Sequence, residues 1–201
     1  MIDCASFVNS FYSSVSYIIR AVDSDIAWVI DPGDISPILD YLSTNGLIVS
    51  GILLTHCHYD HIYGVNELMS MNGDCRIYTN RYGRTMLNDP KLNLSKYHDS
   101  PYRIQNIESI CEVSDGEKLT LESDISIQAI FTPGHNPSCI TWLAEDKIFT
   151  GDSYIPGLKT VTNLPKADKV QALASEELIL RLSQGRTILP GHKVHLESDG
   201  Q

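Results

Sequence analysis

The sequence predicts an α/β fold, and three observations carry that prediction. Runs rich in β-branched and aromatic residues recur along the chain. Segments with apolar positions at helical spacing lie between them. In both halves the strand-like runs precede a helix, without a residue-level repeat. With 42% apolar and 20% charged residues over 201 positions, and no low-complexity linker, one domain spanning 1–201 is expected.

Taken in order, β-like runs stand at "SYIIRAV" and "IAWVIDPG". The helix pattern "DISPILDYLSTNG" follows, with Asp34 or Ser36 expected to cap its first turn and Gly46 to close it. A buried-strand run, "LIVSGILLT", leads into "HCHYDH", after which "HIYGVNELMSM" again has helical spacing. "RIYTN" reads as a short strand. The polar stretch 81–103 reads as a long loop with a short helix at its start, and long loops in compact domains are often functional.

The second half is strand-like at "SICEV", "KLTL", "ISIQAIFT", "ITWLAE" and "KIFTG", with hairpins expected around the turn pairs Asp115-Gly116 and Glu145-Asp146. A Pro/Gly-marked loop, a helix at "KVQALASEELILRLSQG" ended by Gly185, and a last strand, "TILPGH", complete the pattern.

Composition excludes several classes of function. The formal charge is -10 with no Lys/Arg cluster, which argues against a nucleic-acid backbone as partner. No apolar run approaches the length of a bilayer, and the start "MIDCASFVNSFYSS" lacks a basic, then apolar, secretion signal. The five cysteines (Cys4, Cys57, Cys75, Cys111, Cys139) are scattered and never form a CxxC pair, which fits reduced thiols in a cytoplasm. A small-molecule substrate is the expected partner.

The chemistry concentrates in "THCHYDH". Residues two apart in an extended segment point the same way, so His56, His58 and Asp60 are expected to converge while His61 enters from the adjacent turn. Such a set at fixed offsets arises by chance in only about one chain in several thousand. Three later strand runs also end in a Gly-flanked His or Asp: "IFTPGHNP" with His135, "IFTGDSY" with Asp152 and "TILPGHKV" with His192. Together these supply enough imidazoles and carboxylates for two metal ions. Without thiolate pairs the set suits Zn, Fe or Mn in an open catalytic site better than a closed structural cage. Cys57 lies between two ligands, but alternation turns it to the opposite side, where packing is its expected role.

These residues resemble a known family, the metallo-β-lactamase-fold hydrolases. "THCHYDH" matches that family's HxHxDH signature; "TPGH", "GD" and "PGH" match its later motifs in order, and "WVIDPGD" its early DPG turn. The resemblance covers nearly the whole chain and implies an αββα sandwich, two mixed sheets flanked by helices, with metals at one edge. It puts His56, His58 and His135 on one divalent ion and Asp60, His61 and His192 on a second, with Asp152 bridging. It also makes Asp31 an acid that orients a ligand, although a plain turn residue before Pro32 is an equal reading.

The resemblance implies two divalent ions, Zn above Fe or Mn, whose shared hydroxide attacks a carbonyl, with Asp60 orienting the nucleophile. "NDPKLNLS" and "GDSYIPGLKTVTNLP" look similar to short glyoxalase II-like proteins, which suggests thioester, or related ester or lactone, hydrolysis. The chain ends nine residues after His192, so the glutathione-binding helical domain of full glyoxalase II enzymes is not expected. Two alternatives stand beside this reading: a mononuclear-iron persulfide dioxygenase using His56, His135 and Asp152, and a non-catalytic binding module stabilised by metal. A β-lactamase, an RNA-processing nuclease and a flavodiiron-type oxidoreductase fit less well, the last because His58 stands where those proteins carry an acid. Tyr59, Tyr154 and Lys159 lie near ligands in sequence but read as exposed residues, and His98 and His195 read as surface histidines.

Overall fold

The computed structural model describes residues 1–73, 75–122 and 125–193, so His195 lies outside the described residues. One sheet follows chain order: β1 (Ile2–Val8), β2 (Val15–Ala21), β3 (Ile26–Ile30), β4 (Ile48–Leu53), β5 (Arg76–Thr79) and β6 (Ile110–Glu112). The first three strands pair antiparallel, and β3 to β6 pair parallel. Parallel neighbours need crossovers, and α1 (Ile35–Thr44), α2 (Val65–Met71) and α3 (Arg81–Met86) lie within them.

The second sheet holds β7 (Lys118–Glu122), β8 (Ile125–Phe131), β9 (Ile140–Ala144), β10 (Lys147–Gly151) and β11 (Thr187–Pro190) in the order β11-β10-β9-β8-β7. It is antiparallel except for β10 with β11, whose connection carries α4 (Lys169–Leu182). The expected α/β architecture of two mixed sheets with flanking helices is therefore present.

Side-chain alternation divides the apolar residues between two cores. Ala27 and Val29 of β3 pack with Ile38, Leu42 and Leu68 beneath the helices, whereas Trp28 and Ile30 face Ile127, Trp142 and Phe149 between the sheets. The sheets are pinned where the functional strands end. Ile140 N donates to Thr55 O at 2.7 Å, Trp142 Nε1 to Leu54 O at 3.0 Å, and the Tyr17 hydroxyl to Pro190 O at 2.7 Å.

Several local expectations change. Strand β1 has no clean apolar alternation because it is an edge strand whose middle is half-exposed; its seven-pair register with β2 holds it. Asp34 stands at the start of α1, but its carboxylate accepts hydrogen bonds from Ser10 and Tyr63 instead of capping the helix. Asp115-Gly116 makes no hairpin: β6 and β7 belong to different sheets, so this turn carries the chain across, while Glu145-Asp146 does join the paired β9 and β10. The helix after the histidines begins at Val65, and Tyr59–His61 forms a 3-10 turn instead.

Candidate metal centre

Every sequence-predicted ligand sits just beyond a strand end. His56 and His58 follow β4, His135 follows β8, Asp152 follows β10 and His192 follows β11. Asp60 and His61 lie on the 3-10 turn, which Tyr59 N to Asn93 O (2.9 Å) and Ser14 Oγ to Asp60 O (2.8 Å) hold in place. The glycines of the later motifs allow the close approach. Gly134 has φ +139°, and a β-carbon there would meet the Ala172 backbone at 2.2 Å. A β-carbon on Gly191 would press on Asp152 Oδ1 at 2.4 Å.

The structure brings all seven side chains together. Ligand atoms of His56, His58 and His135 lie within 4.8 Å of one another, as do those of Asp60, His61 and His192. Asp152 reaches both groups, with Oδ2 3.5 Å from His135 Nε2 and 3.3 Å from His192 Nε2, and Oδ1 3.4 Å from His61 Nε2.

Oxygen acceptors outside the cluster orient four of the rings. His135 Nδ1 meets Val161 O at 2.9 Å and His192 Nδ1 meets Tyr12 O at 2.9 Å; a carbonyl only accepts, so the proton sits on Nδ1. His61 Nδ1 faces the buried Asp31 carboxylate at 3.0 Å. His56 Nδ1 faces Thr55 Oγ1 at 3.3 Å, a hydroxyl that already donates to Asp31. In their neutral forms all four therefore turn an Nε2 lone pair inward. Asp31 thus both occupies the turn before Pro32 and contacts a predicted ligand: its carboxylate, 1% exposed, also accepts from Thr55 N at 2.7 Å.

His58 is the exception. Asn136 Oδ1 accepts from Ser138 N and Oγ, so its amide nitrogen is the atom 2.8 Å from His58 Nε2. That contact makes Nε2 an acceptor and leaves the ring proton on Nδ1, which faces His135 Nε2 at 2.9 Å.

Electrostatics separate the rings. Burial pushes His58 down to about 3 and His56 well below the ordinary value, so both are neutral. Burial also opposes the charge on His61 and His192, but neighbouring carboxylates reverse it: Asp60 and Asp152 hold His61 well above its usual range, and the same pair raises His192 to about 10. Against the same burial penalty, His61 and His192 hold Asp60 and Asp152 below the usual carboxylate range.

The donor chemistry fits a metal. His56 Nε2 is buried with no hydrogen-bond partner, and Asp152 Oδ1 is likewise unsatisfied although His61 Nε2 lies 3.4 Å away. His61 Nε2 and His192 Nε2 face each other at 3.3 Å, a spacing of two basic nitrogens that a proton or a cation must mediate. Cys57 takes no part: it is fully buried in the helix-side core, with Sγ 3.7 Å from Thr79 Oγ1.

A family model of the metallo-beta-lactamase superfamily matches residues 10–192. The chain belongs to the metallo-β-lactamase superfamily. A curated relative from Pseudoalteromonas translucida (strain TAC 125), named hydroxyacylglutathione hydrolase, is 31% identical over 150 residues, 75% of this chain and 50% of the relative. The chain thus spans about half the length of the curated relatives it matches. Among solved structures, the BLEG-1 B3 metallo-β-lactamase superposes with a TM-score of 0.86 at 25% identity, covering 96% of this chain and 92% of that one. TTHA1623, solved in a di-iron-bound form, superposes with a TM-score of 0.81 at 24% identity over 94% and 92% of the two chains. The motif order read from sequence and the superfamily's two-sheet fold therefore agree.

Around the cluster, sequence reasoning missed Tyr12, Val161 and Asn136. Only Asn136, adjacent to His135, left a local signal. His98, expected at the surface, is half-buried against Tyr59 with ring centroids 4.4 Å apart, and it lines the cavity above the cluster together with Tyr59. Lys159 is exposed, and neither it nor Tyr154 lines that cavity. Among the described residues, no helix is long and apolar enough to cross a membrane.

Proposed function

We propose that the chain is a metal-dependent hydrolase cleaving a thioester or a related ester or lactone. His56, His58 and His135 would hold one divalent ion and Asp60, His61 and His192 a second, with Asp152 shared, and Zn is the metal proposed. When bound, such ions supply Lewis acidity toward a carbonyl and lower the pKa of water from about 15.7 toward about 7. The observation that carries this reading is the convergence of seven donors, two of their atoms unsatisfied, beneath a cavity of about 510 Å³.

The chain's own residues support hydrolysis by water over a covalent intermediate. Cys57 and Cys139 are buried, and burial pushes both thiols up to about 12, so neither supplies a thiolate. Ser138 and Ser153 are buried as well, their hydroxyls engaged with Asn136 and Thr132. Asp60 keeps 14% of its side chain accessible and lines the cavity, where it is placed to accept a hydrogen bond from water and orient it toward a carbonyl. Asp31 and the carbonyls of Val161 and Tyr12 hold the imidazoles from behind, so the site needs little rearrangement when substrate enters. The name carried by the curated relatives supports the thioester class.

The test is metal analysis of protein isolated without added metal, joined to a thioester panel. The reading expects about two ions per chain and turnover that Asp60→Ala abolishes while folding persists. Activity unchanged in Asp60→Ala, or oxygen uptake with a persulfide and iron in place of hydrolysis, overturns it.

A further inference from the structure

We propose that the cavity above the cluster selects an uncharged, apolar acyl group, best an aromatic one, and that glutathione conjugates are poor substrates. This rests on the hydrolase reading and adds the substrate class. Away from the metal-binding groups, the wall on one side is Tyr12 with Leu94, Tyr97 and His98, and Val161 and Leu164 stand among the residues completing it. Among the described residues, no Lys or Arg lines this cavity. Lys96 is stacked on the Tyr97 ring, its ammonium 4.6 Å from the centroid, and Lys166 lines a separate cavity. Glutathione carries carboxylates and an ammonium. The side chains of this wall, Tyr12 and Tyr97 at its exposed rim and Leu94 and His98 further in, offer those groups no full opposite charge, whereas a neutral ring gains contact there. The chain's formal charge of -10 further disfavours an anionic ligand at long range.

The base of the wall, at Asn93, Leu94 and His98, is held in place, and this gives the stretch 81–103 a role. At its base Asn93 is fully buried; its amide donates to Met86 O and Tyr102 O, and its carbonyl accepts from Ser95 N. Between these anchors Leu94 adopts φ +67°, a left-handed conformation costly for leucine that persists only where its surroundings impose it. Leu94 lines the cavity from that position. His98 rests on Phe11 and Tyr59, with centroids 5.2 and 4.4 Å away, and Tyr12 lies beyond it at 6.5 Å. An aromatic acyl group entering here would meet ring edges and faces that already favour stacking. In the reaction the acyl–sulfur bond breaks, with water supplying hydroxyl to the acyl carbon and a proton to the leaving thiol.

The experiment compares zinc-loaded protein on three thioesters: a neutral arylacyl thioester, the acetyl analogue on the same neutral thiol, and a hydroxyacyl thioester of glutathione. The expected kcat/KM order is arylacyl, acetyl, glutathione, with about tenfold or more between first and last. Tyr97→Ala and His98→Ala should lower the arylacyl-to-acetyl ratio about fivefold, chiefly through KM. A preference for the glutathione thioester, or variants that slow all three alike, overturns the proposal while leaving the hydrolase reading standing. Calorimetry with the non-hydrolysable arylacyl amide gives a readout without turnover. If no thioester is cleaved, the hydrolase reading fails, and binding of the amide in preference to glutathione still supports the neutral wall, whereas no binding removes it.

Discussion

The Asp31 carboxylate lies 3.0 Å from His61 Nδ1, and the same carboxylate takes hydrogen bonds from the Thr55 amide and hydroxyl. Asp31 achieves this at φ +50°, a strained conformation for an aspartate, directly after the last residue of β3. The contact fixes the His61 ring so that Nε2 faces Asp60 and Asp152. Asp31→Asn keeps the shape but loses the charge and one acceptor, and is expected to weaken metal binding about 10- to 100-fold. Competition with a chromophoric chelator measures this, and an unchanged affinity would show that Asp31 only shapes the turn.

The metal-stripped protein should be most stable near pH 6.5. The carboxylates raise His192 to about 10, so the fold's preference for its cation is fully present below the free value of 6.5 and is lost as pH climbs toward 10. His61, shifted in the same direction, adds to the alkaline loss. His58, pushed down to about 3, acts oppositely: below 6.5 the unfolded chain takes up a proton that the buried ring refuses, so stability falls toward pH 3. At the acid end the lowered pKa values of Asp60 and Asp152 add a further loss as those carboxylates protonate. Urea midpoints at pH 5, 6.5 and 9 test this, and a midpoint rising steadily across the range would refute it.

What was legible in the sequence was local. "THCHYDH" marks four candidate ligands by offset alone, and the Gly-flanked strand ends mark the other three candidates, each beside a glycine whose neighbours approach closely. What stayed hidden depends on partners far along the chain. Tyr12 holds His192 across 180 positions through its backbone carbonyl, which any residue type could supply. Asp34 carries a capping residue's signature, yet Tyr63 and Ser10 claim its carboxylate. Leu94 reads as an ordinary loop leucine until its φ is known.

Cys57 separates packing from ligation experimentally. It is buried between two predicted ligands in sequence but belongs to the helix-side core, and burial raises its thiol to about 12. Cys57→Ala should retain the full metal content and cost about 1–2 kcal/mol of stability, the ordinary effect of a small core truncation. Loss of an ion, measured by elemental analysis of the folded variant, would restore a metal role for the thiol.

Asn136 gives the sharpest test of how the cluster handles protons. Its amide donates toward His58 Nε2 while its carbonyl is committed to Ser138, so the metal-free ring keeps its proton on Nδ1, the atom turned into the cluster. A metal at that atom must displace the proton, and the proton's other seat, Nε2, faces a donor. Asn136→Asp supplies a carboxylate oxygen there while the second oxygen still accepts from Ser138, so Nε2–H gains an acceptor and Nδ1 is freed for metal. Such a partner behind a ligating imidazole is worth about 10- to 100-fold in affinity. Asn136→Asp is therefore expected to tighten metal binding, measured by competition with a chromophoric chelator. Weaker or unchanged binding would mean that His58 already holds its proton on Nε2 and that the Asn136 amide is turned the other way.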